Sequence, residues 1–556
     1  MALRSGGQIL VDQLAIHGTT HVFCVPGESY LAVLDALHDS PVRTIVCRQE
    51  GGAAYMAEAS GKLTGRPGVV MVTRGPGATN ASAGIHVASQ DSTPMIMFVG
   101  QVARDMKERE AFQEIDYKAV FGSMTKWVAE IDRAERIPEI VSRAYHVAMQ
   151  GRPGPVVIAL PEDMLTDEVE VADAVPASPV ATSPGQKDME RFLRRLLDAK
   201  RPVVLAGGSG WDAQGTRDLM QFAENFSLPV AVTFRRQMLV PADHPNFAGD
   251  LGIGPNPKLL QRIATADLVI LAGGRLSEMP SQSYTLLDIP GDGSRLVHIH
   301  PGAEELNKVY RAGLGIVASP SAFAAAAAGL SRPNQVNWSG TADEAHAQYL
   351  SWSNPDPVRT AGALQMGQVM AHLRDAMPAD AVFCNGAGNY ATWVHRFWPF
   401  RAFGSQLAPT SGTMGYGVPA AIAAKCLMPE RTVIAFAGDG CFMMNGQEFA
   451  TAVQYGLPVV IVLVDNGMYG TIRMHQEREY PGRISATTLH NPDFAALARA
   501  YGGHGETVST TEEFPSALQR AVGSGRPSII HCLIDPEAIT PARSLSDIRN
   551  ASLNRD

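Results

Sequence analysis

The chain has 556 residues, of which 45% are hydrophobic and 18% charged, and its formal net charge is −9. That length exceeds one hydrophobic core and implies two to four domains of ordinary globular composition. The acidic balance without a Lys/Arg cluster argues against nucleic acid as the main partner, and no apolar run reaches membrane-spanning length. Cys24, Cys47, Cys384, Cys426, Cys441 and Cys532 form no CxxC pair, so reduced thiols are expected rather than a disulfide framework or a zinc site. The start, MALRSGGQILVDQLAIHG, carries polar residues through any would-be signal core. Together these features predict a soluble, cytoplasmic protein.

In chain order, HVFCVPGES, RTIVCRQEGG, GVVMVTRGPGATN, PMIMFVGQ and PGPVVIAL each read as a buried strand, most of them running into a turn. Their continuous apolar character, without alternation, fits a parallel sheet covered on both faces. The Pro-, Ala- and Ser-rich stretch 167–188 reads as a linker. A second block supplies RPVVLAGGSG, LPVAVTF, ADLVILAGGR and RLVHIHPG, then an Ala-rich helix, SAFAAAAAG, and fades into SRPNQVNWSG. WSNPDPVRTAG forms a second linker, and the third block contains DAVFCNGAGN, RTVIAFAGDG, LPVVIVLVDN and PSIIHCLID. The expected fold class is α/β, with three doubly wound parallel-sheet domains over about 1–168, 187–332 and 356–548.

The third block carries the strongest chemical signal. GDG follows the apolar strand RTVIAFA, and Asp465-Asn466 follows LPVVIVLV. Ligands collect at the carboxyl edge of such sheets. If the two strands are neighbours, the Asp439 carboxylate and the Asn466 side-chain carbonyl converge. Two hard oxygen donors suit Mg²⁺, and backbone N–H groups near Gly440 and Cys441 suit a diphosphate. GDG alone is an ordinary turn; its specificity comes from the second strand-end Asn, 27 positions on.

This pairing resembles the thiamine-diphosphate motif, and the similarity over nearly the whole chain is greatest to the acetolactate synthase group of thiamine-diphosphate enzymes. The resemblance implies three domains (pyrimidine-binding, central and diphosphate-binding), with Mg²⁺ held by Asp439, Asn466 and the main-chain carbonyl of Met468. SGTMGYGVPAA resembles the segment that holds the aminopyrimidine, through the Gly412 carbonyl and a Met414 wedge; Met414 read alone is ordinary core filler. CNGAGNYATW resembles a second diphosphate loop through Gly386, Ala387, Gly388 and Asn389, although a plain turn reads equally well. The resemblance also puts Pro26, Gly27, Thr73, Pro76, Asn80, Gly438, Gly440, Cys441, Tyr469 and Gly470 against the cofactor. Glu50, in CRQEGGAAYMAEA, becomes the acid that bonds the pyrimidine N1′, a role that needs a dry carboxyl; otherwise it is a helix-start charge.

The implied reaction is decarboxylation of a small 2-oxo acid, after which the resulting enamine is added to a second carbonyl or protonated. Gln113, in AFQEIDY, would lie near the reacting carbon, or else on a solvated helix face. The adjacent histidine pair of pyruvate decarboxylases is absent from the first block.

Departures from the pattern keep alternatives open. His475 stands where biosynthetic acetohydroxyacid synthases have Trp, and it reads either as a substrate ligand or proton donor or as a solvent-facing helix residue. GGRLSEM and GDLGIG replace the arginine-rich turn and glycine loop of FAD-binding members, although Arg275 is kept, so a flavin-bound and a purely structural central domain both remain. TFRRQM offers Arg235 and Arg236 either to a flavin or acidic substrate or as a salt-bridged surface pair. The competing functions are a non-biosynthetic 2-oxo acid decarboxylase or 2-hydroxyacyl lyase acting on an acid or aldehyde, and a catalytically idle cofactor-fold binding protein. In the family the Glu50 block and the metal block meet across a subunit boundary, which implies a homodimer or homotetramer.

Overall fold

The structure is a computed structural model that describes residues 2–332 and 334–554; residue 1, where the first expected domain begins, lies outside them. It divides into two compact units, 1–180 with 422–427, and 181–421 with 428–556. The first unit holds one six-stranded sheet and the second holds two, and every strand pair in these three sheets is parallel. The central strands read as unbroken apolar runs because helices cover both faces. Gly68–Val72, Met95–Gln101 and Pro155–Pro161 are buried throughout, as are Pro202–Ala206, Leu268–Ala272, Val433–Gly438 and Val460–Asp465.

Numbered within each sheet in chain order, the first and third sheets share the order 2-1-3-4-6-5, and the middle sheet runs 3-2-1-4-5-6. The order reverses between strands 1 and 3 in the outer sheets, which turn back once more at their 6-5 edge, and between strands 1 and 4 in the middle one. At such a reversal the connecting segments leave to opposite faces and a crevice opens beyond the carboxyl ends. In the third sheet the crevice lies beyond Val382–Asn385 and Val433–Gly438, and in the first it lies beyond His21–Cys24 and Gly68–Val72.

Within the three six-stranded sheets, five strands escape the sequence reading: Trp127–Glu130, Phe247–Leu251, Leu314–Val317, Gln406–Leu407 and His504–Val508. All five are sheet edges. Helix Thr341–Trp352 forms in a stretch to which the sequence reading assigns no element, and it packs on the middle sheet's edge with the Tyr349 ring 4.7 Å from that of Phe247. Arg235 and Arg236 are not a surface pair. Both are buried, Arg235 donating to the Pro409 carbonyl at 2.5 Å and Arg236 to the Gly208 carbonyl at 2.7 Å. They follow strand Val230–Thr233 directly, so the packed end of the sheet carries them inward. No helix among the described residues is long and apolar enough to cross a membrane.

Candidate functional site

The crevice of the third sheet is a cleft enclosing about 810 Å³ up to its open mouth. Three segments meet there. Ala387, Gly388 and Asn389 follow the first strand; Gly438, Asp439, Gly440 and Cys441 follow the third; Asn466, Met468, Tyr469 and Gly470 follow the fourth. Gly412 and Met414 border the same cleft. Gly386 stands just behind it, where an added Cβ would fall 2.7 Å from Cys441 Sγ. At Gly412 nothing lies within 4 Å of such a Cβ, and the glycine is there because φ is +67°.

Side chains missed by the sequence reading lock these segments together. Tyr390 OH accepts from Gly386 N at 3.1 Å and lies 3.1 Å from Cys441 Sγ, which in turn accepts from Gly415 N at 3.2 Å. Burial pushes the Cys441 thiol above its ordinary range, so it stays neutral in this role. The segment after strand Val460–Asp465 is pinned by a passing stretch: Tyr469 N donates to Thr487 O at 2.9 Å and Leu489 N to Gly467 O at 2.8 Å. That stretch delivers Asn491, whose Nδ2 donates to Asp439 Oδ2 at 2.7 Å and to Asp465 Oδ1 at 2.8 Å. Asp465 Oδ2 faces His531 Nε2 at 2.9 Å.

Electrostatics separates the two acids. Burial pushes the Asp439 carboxyl up to about 6, with the nearby Asp465 adding to the rise. Asp465, although also disfavoured by burial, is held below the usual carboxylate range by donations from His531, Gly467 N and Asn491. A divalent cation beside Asp439 would relieve what burial imposes. Among the described residues no group of three or more His, Cys, Asp or Glu could hold a metal. The available donor set is therefore one carboxylate, the Asn466 amide oxygen and the Met468 carbonyl, which accepts from Gly470 N at 2.8 Å and keeps a second lone pair. Hard oxygen donors of low total charge fit Mg²⁺ with a phosphate completing its shell, and a glycine-lined cleft of this size accommodates a diphosphate.

The first sheet brings a second group together. Gln49 Oε1 caps the helix Glu50–Thr64 by accepting from Gly51 N and Gly52 N, which fixes Glu50 at its first turn. Asn80 Nδ2 donates to Glu50 Oε2 at 3.0 Å, and a Cβ on Gly77 would lie 3.3 Å from Glu50 Oε1. Gly27 approaches Thr73 so closely that a Cβ would sit 2.4 Å from the Thr73 Cβ, and Thr73 Oγ1 bonds Ser29 Oγ at 2.9 Å. Pro26 and Pro76 are exposed beside them. Gln113 is not on a helix face. Ala111–Glu114 is a turn with Gln113 at φ +64°, packed so that a Cβ on Gly75 would fall 2.8 Å from its Cβ. The Gln113 Oε1 atom is buried without a hydrogen-bond partner among the described residues. His475 is exposed on helix Gly470–Glu479, 3.4 Å from Arg478 Nη1.

Three family models match the sequence: "Thiamine pyrophosphate enzyme, N-terminal TPP binding domain" over residues 4–120, the central domain of the same enzymes over 189–327, and the C-terminal TPP binding domain over 386–532. The chain is 31% identical over 534 residues to the acetolactate synthase isozyme 2 large subunit of Escherichia coli (strain K12), covering 96% of each chain. It is 31% identical over 529 residues to the acetolactate synthase large subunit of Haemophilus influenzae, covering 93% of this chain and 92% of that one. With the Lactococcus lactis subsp. lactis acetolactate synthase large subunit the identity is 32% over 514 residues, 90% of this chain and 87% of the other.

Proposed function

Since the chain belongs to the acetolactate synthase large-subunit family of thiamine pyrophosphate enzymes, we propose that it decarboxylates a small 2-oxo acid and joins the remaining acyl unit to a second carbonyl. The observation that carries this reading is the cleft in which Asp439, Asn466 and Met468 converge beside glycine-rich loops. Bound thiamine diphosphate supplies the electron sink for the carbon–carbon cleavage. Asp439, Asn466 and the Met468 carbonyl would hold Mg²⁺. The Ala387–Asn389 and Gly438–Cys441 segments, with Tyr469 and Gly470, would hold the diphosphate. The Gly412 carbonyl and Met414 would orient the pyrimidine ring. Glu50 would exchange a proton with that ring's N1′, and Pro26, Gly27, Thr73, Pro76 and Asn80 would border it. Gln113, with its unpartnered Oε1, would face the reacting carbon, and His475 would address the acceptor.

A second reading, a non-biosynthetic decarboxylase or 2-hydroxyacyl lyase, is favoured by His475 standing where biosynthetic members carry Trp. Product analysis with pyruvate separates the two. Acetolactate supports carboligation; acetaldehyde alone or no turnover supports the second reading.

The central sheet we read as structural. At its reversal a Cβ on Gly208 would fall 1.8 Å from Gly273 O, and Arg236 already bonds the Gly208 carbonyl. On this reading the purified protein carries no flavin band in its visible spectrum. Glu50 and Asp439 stand in different compact units, and we propose a homodimer or homotetramer with active sites at the subunit interface; a fully active monomer in sedimentation would contradict it. All six cysteines are free and buried, in keeping with a cytoplasmic protein.

A further inference from the structure

Behind helix Gly470–Glu479 lies a second cavity of about 1310 Å³ counted out to its open mouth. Thr471 and Ile472 of this helix face the first cleft, whereas Met474 and Arg478 face the second. Asn389 borders both, accepting from Thr471 Oγ1 at 2.9 Å and lying 3.5 Å from Met474 Sδ.

Three arginines, Arg396, Arg478 and Arg543, line the second cavity. Among the described residues none of them has a carboxylate within 4.0 Å. Arg396 is held rigidly, its guanidinium carbon 3.8 Å from the centre of the Trp352 ring and its Nε donating to Trp352 O at 3.0 Å. That leaves both terminal nitrogens for an incoming acceptor. Among the described residues the Arg478 guanidinium makes only the long contact of 3.4 Å with His475 Nδ1. Asp250 is the single acid in the lining among the described residues, and burial pushes its carboxyl up to about 7, so at neutral pH it is only partly ionised and leaves the lining with an excess of positive charge. His395 is pushed well below its ordinary value by burial and stays uncharged. Ile253, Pro255, Met474 and Ile548 supply an apolar wall.

We propose that this cavity binds a small organic anion carrying two or more negative charges, in carboxylate or phosphate groups, against Arg396, Arg478 and Arg543. Guanidinium groups recognise such oxyanions in the plane of their N–H forks. Like charges gathered in a partly buried space repel one another until an anion joins them. The apolar wall selects an organic body over a bare inorganic ion. The anion is supplied either as the second substrate of carboligation or as an effector that is not consumed. In both cases occupancy reaches the first cleft through the shared helix and Asn389.

The test uses the full chain loaded with thiamine diphosphate and Mg²⁺, and calorimetric titration with succinate, tricarballylate and uncharged succinamide at constant ionic strength. Tricarballylate is expected to bind more tightly than succinate, and succinamide not at all. The double variant Arg478→Gln/Arg543→Gln is expected to lose at least about tenfold in affinity, or about 1.4 kcal/mol. Arg478→Lys retains part of the binding because it keeps the charge. Unfolding temperature and cofactor uptake of the variants confirm that they are folded. The proposal is overturned by absence of binding to wild type, by equal affinity for succinamide, by unchanged affinity in the double variant, or by a tightly held flavin that the double variant releases. Turnover with pyruvate then distinguishes the sources: an anion incorporated into product is a substrate, and one that only shifts rate or half-saturation is an effector.

Discussion

The Asn491 amide nitrogen lies 2.7 Å from Asp439 Oδ2, and the same atom reaches Asp465 Oδ1 at 2.8 Å. One donor thus bridges two buried carboxylates, of which Asp439 borders the cleft. Replacing it with leucine, similar in shape but without the donor, leaves the acids facing each other. Asn491→Leu is expected to raise the Mg²⁺ concentration needed for half-maximal thiamine diphosphate uptake by about 10–100-fold, the usual cost of losing a residue that orients a metal ligand. Uptake is followed by calorimetry across a Mg²⁺ series, with circular dichroism to check the fold. An unchanged Mg²⁺ requirement would remove Asn491 from the metal site.

Glu50→Gln probes the other end of the cofactor. A glutamine can still accept from Asn80 through its remaining side-chain oxygen, so the helix start keeps its geometry. It cannot exchange a proton as a carboxyl does. Turnover is expected to fall by about 10²–10⁴-fold, the range of general acid–base catalysis, while cofactor affinity changes little. Equal activity in the variant would reject the role assigned to Glu50.

The contrast between Asp439 and Asn491 explains what was legible in the sequence. Asp439 and Asn466 close two long apolar runs, and the sheet order places those runs side by side, so a strand-end motif translates directly into position. Asn491 arrives from a loop before helix Phe494–Ala500, where Asn-Pro-Asp reads as a helix-start turn, and only tertiary contact turns it toward the acids. The missed strands fail for a related reason. Leu314–Val317 alternates buried and exposed residues and Trp127–Glu130 is half-buried throughout, because an edge strand has one neighbour and needs no continuous apolar run. Arg235 and Arg236 mislead in the opposite sense: charge suggests surface, yet main-chain carbonyls accept from both side chains inside.

Gly440→Ala tests the packing of the diphosphate end. A Cβ there would fall 2.6 Å from Tyr469 Cε1, forcing the ring that borders the cleft to move. The expected cost is about 1–3 kcal/mol, expressed mainly as weaker cofactor binding because the ring is not fully buried. Adding Tyr469→Ala removes the clash, so the double variant should bind thiamine diphosphate better than additivity predicts. Strictly additive losses would show that the ring does not transmit the effect.

Glu477 ties the C-terminal helix Leu545–Leu553 to helix Gly470–Glu479. Its carboxylate accepts from Arg549 Nε and Nη2 at 2.7 Å each, from Gly482 N at 2.8 Å and from Arg473 Nε at 3.0 Å. The Arg549 bonds are the largest cause of its fall from an ordinary 4.5 to about 2. A carboxyl depressed on folding contributes stability that is complete above 4.5 and is lost as the pH falls through about 2. The protection of the Leu545–Leu553 amides, with exchange rates corrected for their intrinsic pH dependence, should therefore fall as the pH drops from about 4.5 to about 3, before global unfolding. Glu477→Gln keeps the shape but gives up the charge-assisted bonds, worth about 2 kcal/mol here. Its C-terminal helix should be weakly protected already at neutral pH and show no further acid-dependent loss of protection over that range. Because Ile548, Ala551 and Ser552 of this helix wall the second cavity, the same variant should also weaken tricarballylate binding. Identical pH profiles for variant and wild type would show that other contacts hold the helix in place.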